Sequence, residues 1–169
     1  MRHTGGTWFG WSGETSVDPA PAPQILSRDG IRFTTIDLRP QDFELYYNGY
    51  CNSTLWPLFH YFTARFVHEQ AQHDAYQNVN AQFASQLAPL LSPDDVVWVH
   101  DYHLIPLARQ LRERGFEGPI GFFLHPAATR TLSARSSRPS SSSTKARTKA
   151  TARFIAFPAR SILRASWTC

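Results

Sequence analysis

Asp101 and His125 are the two residues of this chain whose types and positions suit joint work on one bound molecule. A carboxylate accepts hydrogen bonds or protons, and an imidazole near neutral pH can do either. Asp101 lies two residues past Val99, the end of the apolar run Val96-Val97-Trp98-Val99. His125 directly follows a second such run, Ile120-Gly121-Phe122-Phe123-Leu124. Taken singly, Asp101 reads equally well as a helix N-cap and His125 as a surface histidine. At the ends of two neighbouring strands they point to a site, because ligands of open parallel sheets sit outside the carboxyl ends of the strands. His100-x-x-His103 with Asp101 offers metal-ligand types, but a strand-to-loop passage sends those side chains to different faces, so no metal is expected. His68 and His73, five apart, miss the i, i+4 spacing of a shared helix face and are expected at the surface. Cys51 and Cys169 lie 118 positions apart, fit no metal spacing, and are expected as free thiols.

The elements that must hold these residues are legible in part. Ile31-Arg32-Phe33-Thr34-Thr35-Ile36-Asp37-Leu38 alternates and is β-branched, which predicts a strand stopped by Pro40. From Gln41 to about His60 the chain is dense in aromatics (Phe43, Tyr46, Tyr47, Tyr50, Trp56, Phe59) spaced for one or two helices, with Pro57 a kink or restart. Most of that cluster reads as core and wall packing. From about Thr63 to Leu91 the pattern is helical, with Tyr76, Val79, Phe83 and Leu87 on one face. Ser92-Pro93-Asp94-Asp95 turns the chain into Val96–Val99, whose unbroken apolar run predicts a strand buried on both faces. A helix with Pro106 in its first turn and Gly115 at its end leads to the second buried strand at Ile120–Leu124. Strand, helix and strand over about 30 residues make a βαβ unit, so the sheet is parallel and the fold α/β.

Charge divides the chain of 169 residues in two. Residues 1–125 carry eight Arg, no Lys and all thirteen carboxylates, a net −5, whereas 126–169 carry nine Lys and Arg and no acid, a net +9. The second part, with Ser136-Ser137-Arg138-Pro139-Ser140-Ser141-Ser142-Ser143 and Lys145-Ala146-Arg147-Thr148-Lys149, has too little apolar area to offset its chain entropy. Disorder is expected at least through about Arg153, and Phe154-Ile155-Ala156-Phe157 suits a short helix or strand with nothing before it to pair with. Arg, Ala, Ser, Pro and Thr are what GC-rich codons yield in the wrong phase, and the tail is read as out-of-frame translation. A nucleic-acid-associated protein acting through this tail is the alternative, weakened by the absence of interleaved aromatics in 126–153 and of any nucleic-acid module. No run reaches the roughly 18 apolar residues of a membrane span, and no apolar stretch near Met1 resembles a signal peptide, so no membrane partner is expected and the cytoplasm is the default compartment.

Four blocks, in this order and separation, carry a family resemblance. They are Trp8-Phe9-Gly10-Trp11-Ser12-Gly13; Tyr46-Tyr47-Asn48-Gly49-Tyr50 with Leu55-Trp56-Pro57-Leu58-Phe59-His60-Tyr61; Val97-Trp98-Val99-His100-Asp101-Tyr102-His103-Leu104; and Gly121-Phe122-Phe123-Leu124-His125. From about Thr7 to His125 the chain resembles the trehalose-6-phosphate synthases, retaining glycosyltransferases of two Rossmann-like domains. The resemblance implies transfer of glucose from UDP-glucose to glucose 6-phosphate, with no metal or other cofactor. It implies that residues 1–125 are a partial acceptor-binding domain with an incomplete Rossmann-like parallel sheet, and that 126–169 lie outside it. By motif match Tyr47 resembles the tyrosine on the acceptor phosphate, Trp56 the tryptophan walling the acceptor sugar, and Asp101 the carboxylate on its hydroxyls. Trp11 resembles a further part of that wall, and His125 the histidine over the donor glucose. An aromatic face suits the apolar face of a pyranose, and a carboxylate can hold two hydroxyls at once.

The pattern also departs from the family. Met1 falls after the first strand, the phosphate-clamping arginine and the Gly-Gly loop that members carry, and Pro126-Ala127-Ala128-Thr129 replaces their continuation into a donor-binding domain. The expectation is a truncated fragment without turnover, with a sheet edge left unpaired where the first strand would lie. A non-catalytic sugar-phosphate-binding or regulatory subunit, forming homo-oligomers or pairing with a full-length synthase, is the other reading.

Overall fold

The structure, a computed structural model, describes residues 6–18, 22–28 and 30–124, and the backbone of 152–156. Among these residues the strands are β1 (Gly6–Thr15), β2 (Gln24–Arg28), β3 (Ile31–Leu38), β4 (Val96–His100), β5 (Ile120–Phe123) and β6 (Ala152–Ala156). They form one sheet in the order β2-β3-β1-β6-β4-β5. Every pairing is parallel except that of β2 with β3. The fold is therefore α/β with a parallel sheet.

β3 forms as its alternation predicts, with Thr34, Ile36 and Leu38 buried. Two strands go unread in the sequence. β1 buries Thr7, Phe9 and Trp11 in alternation, and Gly13, at φ 89°, sits where its register with β3 shifts between Trp11 and Thr15. The Trp11 indole N–H donates to the Glu14 carbonyl at 2.7 Å across that irregularity. β2 turns into β3 with Arg28 opposite Ile31, a two-residue connection in which Gly30 takes φ 75°.

After β3 the chain is helical from Pro40 to Phe59. A short α1 (Pro40–Asp42) opens it, a π-helical stretch spans Phe43–Leu55, and α2 (Trp56–Phe59) closes it. The Trp56 amide donates to the Cys51 carbonyl, so the helix passes Pro57 without restarting. Pro57 is the second residue of α2, where the ladder passes from the i, i+5 to the i, i+4 spacing and one N–H is absent. The helix expected from 63 to 91 is shorter, α3 (Gln70–Leu87), and Thr63–Arg65 and Ala88–Leu90 are single 3-10 turns. Its predicted face is buried as read: Tyr76, Val79, Phe83 and Leu87 are at most 4% exposed. Then α4 (Leu107–Glu113) carries the chain from β4 to β5, and Gly115 at φ 86° ends it.

The helices cover one face of the sheet, where Phe9 meets Phe83 edge-on with centroids 5.8 Å apart and Val97, Val99, Leu107 and Leu111 are fully buried. The expectation that β4 and β5 are buried on both faces is corrected. Trp98 is 39% exposed because it alternates onto the other face, and on β5 Phe122 and Phe123, on opposite faces, are 46% and 45% exposed. The Trp98 ring lies over Gly121, where a Cβ would come within 2.5 Å of it. A second correction concerns the unpaired edge. β6 lies between β1 and β4 and pairs in parallel with both, so that position is filled. The disorder expected through about Arg153 is corrected at its end, since Ala152 and Arg153 belong to β6.

Candidate functional site

The carboxyl end of β4 runs into a backbone conformation that side chains rarely adopt. Asp101 has φ 72° and ψ 164°, a region used almost only by glycine and costing on the order of 1–3 kcal/mol for other residues. Its amide donates to the Phe123 carbonyl at 2.7 Å, which ties the end of β4 to the end of β5. Its Oδ1 accepts from the Tyr102 amide at 2.9 Å, so the carboxylate caps the 3-10 turn Tyr102–Leu104.

That turn is held from behind by the helices. The Tyr46 hydroxyl donates to the His103 carbonyl at 3.0 Å, and the Asn80 amide donates to the same oxygen at 3.1 Å and to the Tyr76 carbonyl at 2.9 Å. The Tyr76 hydroxyl donates to the Tyr102 carbonyl at 2.7 Å. Burial pushes the hydroxyls of Tyr46 and Tyr76 well up from their ordinary range, so they remain proton donors at any physiological pH. Three donors from the π-helical stretch and α3 thus fix the carbonyls beside Asp101, and a strained residue persists only where its surroundings over-determine it.

Aromatic rings continue from this turn toward β1. His103 stacks between Tyr102, with centroids 4.1 Å apart, and Tyr47, at 5.6 Å. Tyr47 stacks on Phe43 at 5.5 Å, and both rings pack against Trp11 at 5.4–5.5 Å. His103 is 6% exposed, and burial lowers its pKa to about 3, so it is a neutral ring in this array. Desolvation also raises the Cys51 thiol, which is free and buried behind the same turn.

Of the residues expected at the site, Trp11, Tyr47 and Asp101 are therefore joined by one run of contacts. Trp11 is only 5% exposed, and Tyr47 is half-buried. Trp56 stands to one side at 36% exposure, its ring stacked with His60 at 4.3 Å and Phe62 at 5.7 Å. Its helix reaches the turn through Phe59, 6.0 Å from Tyr102. His125 lies outside the described residues, as does Cys169. His68 precedes α3 rather than lying on it, and it and His73 flank Tyr50 at 6.2 and 5.3 Å. Among the described residues no three His, Cys, Asp or Glu side chains are grouped to hold a metal ion. Asn80 is the positioning residue that went unread. Its one signal is a polar side chain on the buried face of α3, between Val79 and Phe83.

A strained carboxylate at the carboxyl end of a strand, beside an aromatic array, stands where open parallel sheets hold their ligands. The family model for glycosyltransferase family 20 matches residues 1–130, and the chain belongs to that family. The trehalose-6-phosphate synthase of Klebsiella pneumoniae is 46% identical over 125 residues, 74% of this chain and 26% of the relative. The UDP-forming α,α-trehalose-phosphate synthase of Burkholderia xenovorans superposes with a TM-score of 0.71 at 51% identity, over 73% of this chain and 28% of that one. A second structure of the Burkholderia xenovorans enzyme, in complex with glucose 6-phosphate, gives 0.70 at 48% identity over the same shares. The chain thus spans about a quarter of the length of these relatives.

Proposed function

We propose that these residues form the acceptor side of a trehalose-6-phosphate synthase site, which binds glucose 6-phosphate for glucosyl transfer from UDP-glucose. Asp101 takes two sugar hydroxyls, Tyr47 takes the phosphate, Trp56 and Trp11 belong to the aromatic wall, and His125 meets the donor glucose. The observation that carries this reading is the conformation of Asp101. A non-glycine residue held at φ 72° and ψ 164° retains strain, and residues that retain strain cluster at ligand sites.

Support for the ligand comes from the glucose 6-phosphate complex of the Burkholderia enzyme, whose matched part shares this fold. In retaining transfer from one face, the rate rests on positioning the acceptor and on stabilising the departing diphosphate, with no protein nucleophile or resident metal. The buried Trp11 and His103 pack against the half-buried Tyr47 and stiffen the wall from behind, and the tyrosine and asparagine donors hold the Asp101 turn before ligand arrives. By themselves these 169 residues are expected to bind the acceptor without transferring glucose, since all but His125 of the donor contacts implied by the resemblance fall in the remaining length of the relatives.

Titration calorimetry of the 169-residue chain with glucose 6-phosphate tests this. Saturable binding that weakens at least about tenfold in Asp101→Asn, a loss of about 1.4 kcal/mol, is the expected result. No heat in the wild-type chain, or an unchanged affinity in the variant, would remove the acceptor reading. Release of UDP from UDP-glucose with glucose 6-phosphate would overturn the prediction that the chain alone does not turn over.

A further inference from the structure

The sheet contains a slot one strand wide. β1 pairs with β3 on one side and β4 with β5 on the other, but β1 and β4 do not pair with each other. Both present parallel partners to the space between them, and Ala152–Ala156 occupies it with a continuous register. Gly6 through Gly10 face Ala152 through Ala156 on one side, and Val96 through Val99 face Ala152 through Ile155 on the other. The glycosyltransferase match stops at residue 130, so the segment that closes the sheet comes from outside the family-matched part of the chain.

We propose that the gap between β1 and β4 is a strand-binding site, and that its occupant is residues 152–156 of the same chain. Main-chain hydrogen bonds give such a site its affinity, and it accepts any extended segment of suitable composition and direction. Ala-Arg-Phe-Ile-Ala combines β-branched and aromatic residues between small ones, which suits a central position. The 28 residues from 124 to 151 exceed the dozen or so that a parallel crossover needs, so the chain can fill its own slot. Without this strand two parallel edges would meet solvent in the middle of the sheet, where unpaired N–H and C=O groups template association with other chains. The basic tail therefore has a structural role that its composition does not announce, and it holds whether or not the rim binds a sugar phosphate.

Hydrogen exchange of the full chain, read by mass spectrometry, tests it. Amides of 153–156 are expected to exchange on the order of 100-fold or more slowly than in a free peptide of residues 150–158, with protection like that of β1 and β4. Exchange at the free-peptide rate in the wild-type chain would overturn the proposal. So would protection that appears only with concentration-dependent dimerisation, because the strand would then come from a second copy. Ile155→Pro, which removes a ladder donor from a central strand, extends the test. It should expose the slot, and the labelled 150–158 peptide should bind this variant, and not the wild-type chain, with saturable anisotropy. Equal exchange protection of β1 and β4 in Ile155→Pro and wild type would count against a strand at this position.

Discussion

The two faces of this sheet follow different rules. On the helix-covered face Phe9, Ile36, Leu38, Val97 and Val99 are fully buried against α3, α4 and the π-helical stretch, and only at the edge strand β5 does this cover end, with Phe122 46% exposed. On the other, Trp98 and Phe123 remain 39% and 45% exposed, and Ser12 bonds Asp37 at 2.5 Å where an apolar layer would otherwise lie. The covered face stores the stability and also aims the site, because the same helices that bury Phe9 send Tyr46, Tyr76 and Asn80 to the turn after Asp101. Damage to that face should therefore reach both folding and the rim, whereas damage to the other face should stay local.

The largest break in this contrast is expected from Phe83→Ala. Phe83 is fully buried and meets Phe9 edge-on, and truncating such an aromatic leaves a cavity worth about 3–5 kcal/mol. Urea denaturation followed by far-UV circular dichroism would show the unfolding free energy falling by that amount. Calorimetry on any folded remainder should show weaker glucose 6-phosphate binding, because α3 also carries Asn80. A loss below about 1 kcal/mol would mean that the covered face does not hold the fold.

An intermediate effect is expected from acid, through His103. Its folded pKa is lowered to about 3 by burial, below the ordinary 6.5. The unfolded chain therefore takes up a proton first as pH falls. The stability linked to this group is fully present above pH 6.5 and is lost progressively between 6.5 and 3, with a slope of about 1.4 kcal/mol per pH unit. At pH 5 that amounts to a loss of about 2 kcal/mol. His103→Gln should fold less stably near pH 8 but lose that slope, which denaturation midpoints at a series of pH values would show. Identical slopes in variant and wild type would place the acid sensitivity elsewhere.

Legibility in the sequence follows the same division. The face of α3 was readable because Tyr76, Val79, Phe83 and Leu87 keep a helical period against one sheet. Asp101 was readable as a strand-end residue because Val96–Val99 is a clear apolar run bounded by turn residues. β1 was hidden, since Gly10 and Gly13 interrupt an aromatic text that does not look like a strand. β2 was hidden although Asp29-Gly30 is the pair that favours a two-residue hairpin turn. A π-helical stretch has no separate side-chain signature, because a widened i, i+5 ladder preserves much the same aromatic spacing as ordinary helix. Burial on both faces was inferred from Val96–Val99 as a group, and it failed at Trp98 because composition does not reveal which layers cover a sheet. β6 was legible only as a choice between strand and helix at Phe154-Ile155-Ala156-Phe157, because such residues become a strand when two others leave a gap for them, and that gap is a property of tertiary structure.

The smallest effect, and the one that sharpens the contrast most, is expected from Trp98→Ala. Its ring lies across Gly121, within 2.5 Å of where a Cβ would stand, so it does bury area against β5. Much of it nevertheless stays in water, and the area it would return to solvent is far less than for a core aromatic. With about two-fifths of Trp98 already exposed and no closed cavity left behind, its loss is expected to cost roughly 1–2 kcal/mol, less than half of the Phe83 effect. The rim should be unaffected, because no helix donor to the Asp101 turn touches this ring. Denaturation midpoints together with glucose 6-phosphate calorimetry on the same variant would check both halves. A loss comparable to that of Phe83→Ala would show that the exposed face carries a layer as strongly as the covered one. A loss of acceptor affinity at unchanged stability would show that the two faces are coupled through β4 itself.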